Sequence, residues 1–150
     1  MSAPSPMELA LKLAEQAAAL GEVPVGAVLV EGASGEVLAS AHNRVEAWSD
    51  ATAHAELIVL QEASRRLGAK RLTGVDLYVT LEPCPMCAAA ISLARLRRLY
   101  FGAYDPKSGG VEHGPRIFSQ ATCHHRPEVI GGLEERRAGQ LLQAFFQARR

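Results

Sequence analysis

The stretch DLYVTLEPCPMCAAAI, residues 76–91, constrains this chain more than any other. Its first half is apolar and β-branched, and it reads as a strand that ends at Pro83. A helix follows from about Pro85 to Leu96, with a proline where a backbone N–H would otherwise be orphaned. Cys84 and Cys87 are three residues apart, so one helical turn sets both sulfurs on one side. The positive end of a helix dipole favours thiolate over thiol. A strand running into such a helix is one unit of an α/β sheet. The loops between strand ends and helix starts are where these sheets place chemistry.

The remainder of the chain supplies matching units. Met7 to Leu20 reads as an amphipathic helix, with Leu9, Leu13, Ala17 and Leu20 on one face and Gly21 as its stop. VPVGAVLVE has no polar side chain before Glu31, which predicts a strand buried on both faces. GASGE is a turn, and VLASAHN returns as the hairpin partner. After the loop RVEAWSDAT, a helix runs from about Ala53 to Leu67, with Leu57, Leu60, Ala63, Ser64 and Leu67 able to share a face. RRLYFGA is a further strand, YDPKSGGVEHGP a polar glycine-rich loop, PEVIGG a short last strand, and Glu134 to Arg149 a final amphipathic helix. With no repeat or interdomain linker, residues 1–150 read as a single domain. The alternation predicts an α/β fold: a mixed sheet of about five strands, with helices on both faces.

A second motif, TAHAE at residues 52–56, precedes Cys84 by thirty residues. A helical metalloprotease would need a second histidine at position 58, which is Ile58. His54, Cys84 and Cys87 instead form a set of three borderline-to-soft ligands suited to Zn²⁺, leaving one coordination position for water activation. Glu56 would point away from His54 in mid-helix. At a first turn both can face inward, and a carboxylate beside an activated water can act as general base and then general acid. The alternative is a closed structural zinc site. Its fourth ligand would come from Cys123, His124 or His125 in the TCHHRP stretch.

Charge and cysteine usage bound the setting. The formal net charge is zero, but residues 1–60 hold eight acids against two bases and residues 93–150 hold ten bases against five acids. A basic C-terminal third can attract phosphates even on a neutral protein. Three cysteines, two of them adjacent in a Cys-x-x-Cys, favour a reducing compartment over a disulfide framework. No apolar run is long enough to span a bilayer, and Glu8, Lys12 and Glu15 interrupt the first segment, so no secretory signal is read there.

The H-x-E and P-C-x-x-C pair resembles the signature of the zinc-dependent nucleoside and nucleobase deaminases. EVPVGAVLV, TAHAE, LYVTLEPCPMCAAAI, FGAYDPKSG and LLQAFFQARR are similar to the bacterial tRNA-specific adenosine deaminases within that superfamily, from about Met7 to Arg150. The resemblance implies a three-layer cytidine-deaminase-like fold and one Zn²⁺ per subunit, held by His54, Cys84 and Cys87. Glu56 would be the proton shuttle. Asn43 would hydrogen-bond the target base or its ribose, with backbone groups near Ala55 orienting the ring. Asp105 and Lys107 would meet neighbouring nucleotides, and Phe145 and Phe146 would help shape the RNA-binding surface. The implied reaction converts the wobble adenosine of a tRNA anticodon stem–loop to inosine, in a cytoplasmic homodimer. The segment GVEHGPRIFS and the run CAAA depart from the usual family pattern. Two rival readings share these residues: a deaminase of free bases or nucleosides, and a non-catalytic zinc module.

Overall fold

A computed structural model describes residues 4–149; Arg150, the end of the expected similarity, lies outside the described residues. The elements run α1 (Pro6–Ala19), β1 (Gly26–Glu31), β2 (Val37–His42), α2 (Ala55–Leu67), β3 (Val75–Leu81), α3 (Pro85–Ala94), β4 (Arg98–Ala103), a 3₁₀ turn (Ile117–Ser119), β5 (Glu128–Ile130) and α4 (Glu135–Gln147). The strand order is β2-β1-β3-β4-β5. β1 is antiparallel to both β2 and β3, whereas β3, β4 and β5 run parallel, so the sheet is mixed and open. The helices form two outer layers, α1 and α4 on one face and α2 and α3 on the other. This is the expected three-layer α/β arrangement. β1 is buried along its length up to Glu31, as its unbroken apolar run requires for a strand covered on both sides.

α1 starts where Ser5 caps it: the Ser5 hydroxyl accepts the N–H of Glu8 at 3.2 Å, and Pro6 takes the first helical position. Its inward stripe differs from the sequence expectation. Met7, Ala10, Leu11, Ala14 and Ala17 are buried, while Leu20 is exposed. The cause is close packing at one point: a side chain at Gly26 would strike the Ala10 carbonyl, so Ala10 and Ala14 stand there, with Met7 and Leu11 buried on the same face. Leu9 and Leu13 are only partly buried, at the margin of the cluster against which Leu141 and Leu142 of α4 also pack.

α2 is corrected in the same way. It begins at Ala55, two residues later than expected, and buries Ala55, Glu56, Val59, Leu60 and Ala63; Leu67 is exposed. The helix rotates so that its first turn, not its leucine content, sets the inner face. β1 also starts later than expected, at Gly26, and α3 ends earlier, at Ala94.

Candidate metal centre and substrate pocket

His54 is the N-cap of α2 and Cys84 the N-cap of α3, two helices that pack side by side on one face of the sheet. Their starts converge. His54 Nδ1 lies 3.6 Å from Cys84 Sγ and 3.4 Å from Cys87 Sγ, and the three ligand atoms form a group within 4.8 Å of one another. A tetrahedral zinc with Zn–N near 2.0 Å and Zn–S near 2.3 Å separates N from S by about 3.5 Å. Donor chemistry and spacing therefore both fit zinc.

The cluster's protonation suits a cation. Hydrogen bonding from Cys87, with help from His54, holds the Cys84 thiol down at about 4. Cys87 is pushed up by its bond to Cys84 and by burial, and His54 is raised, first by its bond to Cys84. The pull toward thiolate at Cys84 suits a cation, which on binding displaces the protons left on the ligand atoms.

Glu56 is the second residue of α2, and its side chain is buried against the cluster. Burial pushes its carboxyl up to about 7. Because His54 sits at the cap and Glu56 in the first turn, both line one cavity of about 500 Å³, together with Asn43 and Cys84.

Asn43 Oδ1 accepts the N–H of Ala55 at 2.8 Å, which fixes the amide's orientation. Among the described residues nothing takes the Nδ2 protons, so they face the cavity from a side chain that is nearly buried. Asp105 also lines the cavity, and it opens a turn: its Oδ1 accepts the N–H groups of Lys107 at 3.2 Å and Ser108 at 3.0 Å. Lys107 lines an adjoining cavity with Tyr104 and Phe146, and Asp105 borders both cavities. Phe145 is buried in the cavity wall, with the Arg149 guanidinium 3.5 Å above its ring, whereas Phe146 is exposed.

Cys123 does not join the cluster. Its Sγ lies 3.4 Å from Ser92 Oγ and 3.2 Å from the His125 carbonyl, beside the outer side of α3. His125 Nε2 bonds the Leu96 carbonyl at 2.7 Å. No fourth protein ligand reaches the centre among the described residues.

Sequence reasoning missed two carboxylates. Glu82, in the same LEPCPMC stretch, is fully buried and accepts main-chain N–H groups from Asp105, Val111, Glu112 and His113, plus a 2.8 Å bond from His113 Nδ1. It folds the glycine-rich loop and the divergent GVEHGPRIFS segment onto the entry to α3. Glu22, just before β1, is likewise buried and lines the main cavity. An acid adjoining an apolar strand is the only sequence signal either gives.

A mixed five-stranded sheet with a His/Cys/Cys centre at two helix starts, and a buried glutamate beside it, defines a zinc-dependent deaminase domain. Residues 2–103 match the family model for the cytidine and deoxycytidylate deaminase zinc-binding region. The chain belongs, within that group, to the tRNA-specific adenosine deaminase family. It is 56% identical over 144 residues to the tRNA-specific adenosine deaminase of Agrobacterium fabrum, covering 96% of this chain and 93% of the relative. It is 46% identical to that of Bacillus subtilis, covering 94% and 86%. A solved structure from a study of A-to-I editing by tRNA:A34 deaminases at the wobble position of transfer RNA superposes with a TM-score of 0.88 at 57% identity, covering 91% of this chain and 98% of that one. The chain is a deaminase of this family, with zinc as its cofactor.

Proposed function

We propose that this chain deaminates adenosine to inosine at the wobble position of tRNA anticodon loops. The observation that carries the reading is the cavity itself: His54, Cys84 and Cys87 at one end, buried Glu56 beside them, and the free amide of Asn43 facing in. The relatives' names support the same substrate.

His54, Cys84 and Cys87 would hold zinc, which when bound supplies Lewis-acid activation of a water nucleophile. The chain's own groups do the rest. Glu56 accepts a proton from the attacking water and delivers protons to N1 and to the leaving amine. A C6–O bond forms, the C6–N6 bond breaks, and ammonia leaves without any redox change. Asn43 Nδ2 donates to the nucleotide, while its Oδ1 stays committed to Ala55 and so holds the α2 start in place. The base must be unstacked to enter, which is least costly in a loop. Asp105 and Lys107 meet the flanking nucleotides from the glycine-rich loop, and Phe146 and Arg149 extend that surface. The same reading makes residues 1–150 a single deaminase domain, working in the cytoplasm as a homodimer on an anticodon stem–loop. Among the described residues no helix is long and apolar enough to cross a membrane.

The test is incubation of the zinc-loaded protein with an anticodon stem–loop bearing one adenosine, at the wobble position, beside free adenosine, guanine and cytidine. Inosine in the stem–loop alone is the expected product. Turnover of only the free compounds would replace the reading with a nucleobase or nucleoside deaminase. Sedimentation of the protein with and without the stem–loop reads the dimer.

A further inference from the structure

Part of the cavity wall comes from an exposed loop, residues 44–52, that follows Asn43. Val45, Glu46 and Ala51 from this loop line the cavity. The loop is largely tied to itself: Trp48 N–H bonds the Arg44 carbonyl, Asp50 N–H bonds Val45, Ala53 N–H bonds Asp50, and Thr52 bonds the Asp50 carboxylate. Besides the main-chain bonds at its two ends, which include His54 N–H to the Thr52 carbonyl, the hydrogen bonds that join this loop to the rest of the fold among the described residues go to one side chain. The Glu22 carboxylate accepts the N–H of Glu46 at 3.0 Å through Oε1 and the N–H of Ala47 at 2.8 Å through Oε2.

Glu22 itself is 2% exposed and forms no salt bridge among the described residues. It is anchored, because its own N–H bonds the Ala17 carbonyl at the end of α1. A buried carboxylate without a cation is costly, and two charge-assisted bonds to adjacent main-chain N–H groups offset that cost only when the loop is in this place. The two-point grip also fixes orientation, which a single bond would not.

We infer that Glu22 is a positioning residue for the deamination: it pins the 44–52 loop and so sets the gap between that wall and the metal-side wall at Glu56. The inference rests on the function proposed above. Glu22 acts through the loop, and the reacting groups remain Glu56 and the metal ligands. Loss of the grip therefore lets the wall move without touching the chemistry, and productive binding suffers first.

The experiment compares wild type, Glu22→Gln and Glu22→Ala, all zinc-loaded. Gln keeps one acceptor oxygen and Ala keeps none. Amide hydrogen exchange is expected to accelerate at Glu46 and Ala47 in both variants, more in Ala, while the Ala55 amide held by Asn43 stays protected. KM for the stem–loop should rise about tenfold or more in Glu22→Ala and less in Glu22→Gln, with kcat changed less than KM and zinc content unaltered. A KM within twofold of wild type in both variants would overturn the inference. So would wild-type protection at Glu46 and Ala47, or a loss confined to kcat that tracks the folded, zinc-loaded fraction. Should Glu22→Ala not fold, Glu22→Gln alone carries both measurements. A wild type that forms no inosine in the stem–loop would sink the proposed substrate instead, and the exchange data would still decide for or against the tether.

Discussion

The side-chain oxygen of Asn43 and the backbone N–H of Ala55 meet at 2.8 Å, joining the end of the first hairpin to the start of the helix that carries His54 and Glu56. One amide therefore has two duties: its oxygen holds the helix start and its nitrogen faces the cavity. Asn43→Asp keeps the acceptor and loses the donor. It should unfold in urea close to wild type, yet lose about tenfold or more in kcat/KM. Asn43→Ala loses both, and should also cost about 1–3 kcal/mol of stability. Equal stability losses in the two variants would contradict the division.

Glu56→Ala should bind zinc as wild type does, because Glu56 is no member of the ligand cluster. Its inosine yield should fall by at least about 10²-fold, the range for a removed general acid–base. Metal analysis and single-turnover product assays check the two halves separately. Retained turnover would remove the shuttle role from Glu56.

Chelation should abolish turnover and lower the melting temperature together, because two helices meet at one ligand set. Zinc should restore both. Cys123→Ala should leave zinc affinity unchanged, since its sulfur faces Ser92 and His125. A variant that loses metal would revive the closed, four-ligand site.

Glu82→Gln should destabilise the fold by about 3 kcal/mol, because a buried acceptor of four main-chain N–H groups gains an amide that cannot accept. The pH dependence carries a sign. Burial alone would raise this carboxyl, but bonds from Asp105, His113, Glu112 and Val111 outweigh it and hold it below the ordinary range. Its contribution is therefore complete above an unfolded-state value of about 4.3 and is lost as pH falls through the lower folded value. Acid loss of zinc affects both proteins alike. The stability of wild type should thus fall more steeply with acid than that of Glu82→Gln, as read by urea titrations at stepped pH.

Gly26→Ala should be among the most damaging single-methyl changes, costing about 3 kcal/mol, because the new carbon would strike the Ala10 carbonyl and α1 would have to lift from the sheet. Thermal unfolding measures it directly, and a melting temperature near wild type would show that α1 can shift freely.

The candidate site residues were legible because the chemistry they suit demands particular residue types at short spacings: His54 with Glu56, and Cys84 with Cys87 between prolines. The alternation of strands and helices was legible for a similar reason, each period being local. What escaped was tertiary. The sheet-facing stripe of α1 depends on how closely Gly26 lets it approach, so Ala10 and Ala14 meet it there and Leu20 is left outside. Glu22 and Glu82 bond to backbone N–H groups 23–31 residues away, and backbone donors have no residue-type signature. Lys107 and Asp105 share one cavity beside the main one, and of the two only Asp105 borders both.

The strand order places β3 between β1 and β4, and the two ligand-bearing helices flank this central region on one face. His54 precedes the thiols by thirty residues, and the helix starts that bring imidazole and sulfurs together lie on either side of β3, which pairs with β1 across more than forty residues of chain. Before those starts converge, Cys84 and Cys87 are two thiols three residues apart and open to oxidants. A nascent chain that meets an oxidising environment in that interval would lock its two sulfurs together and lose the centre before it had ever been assembled.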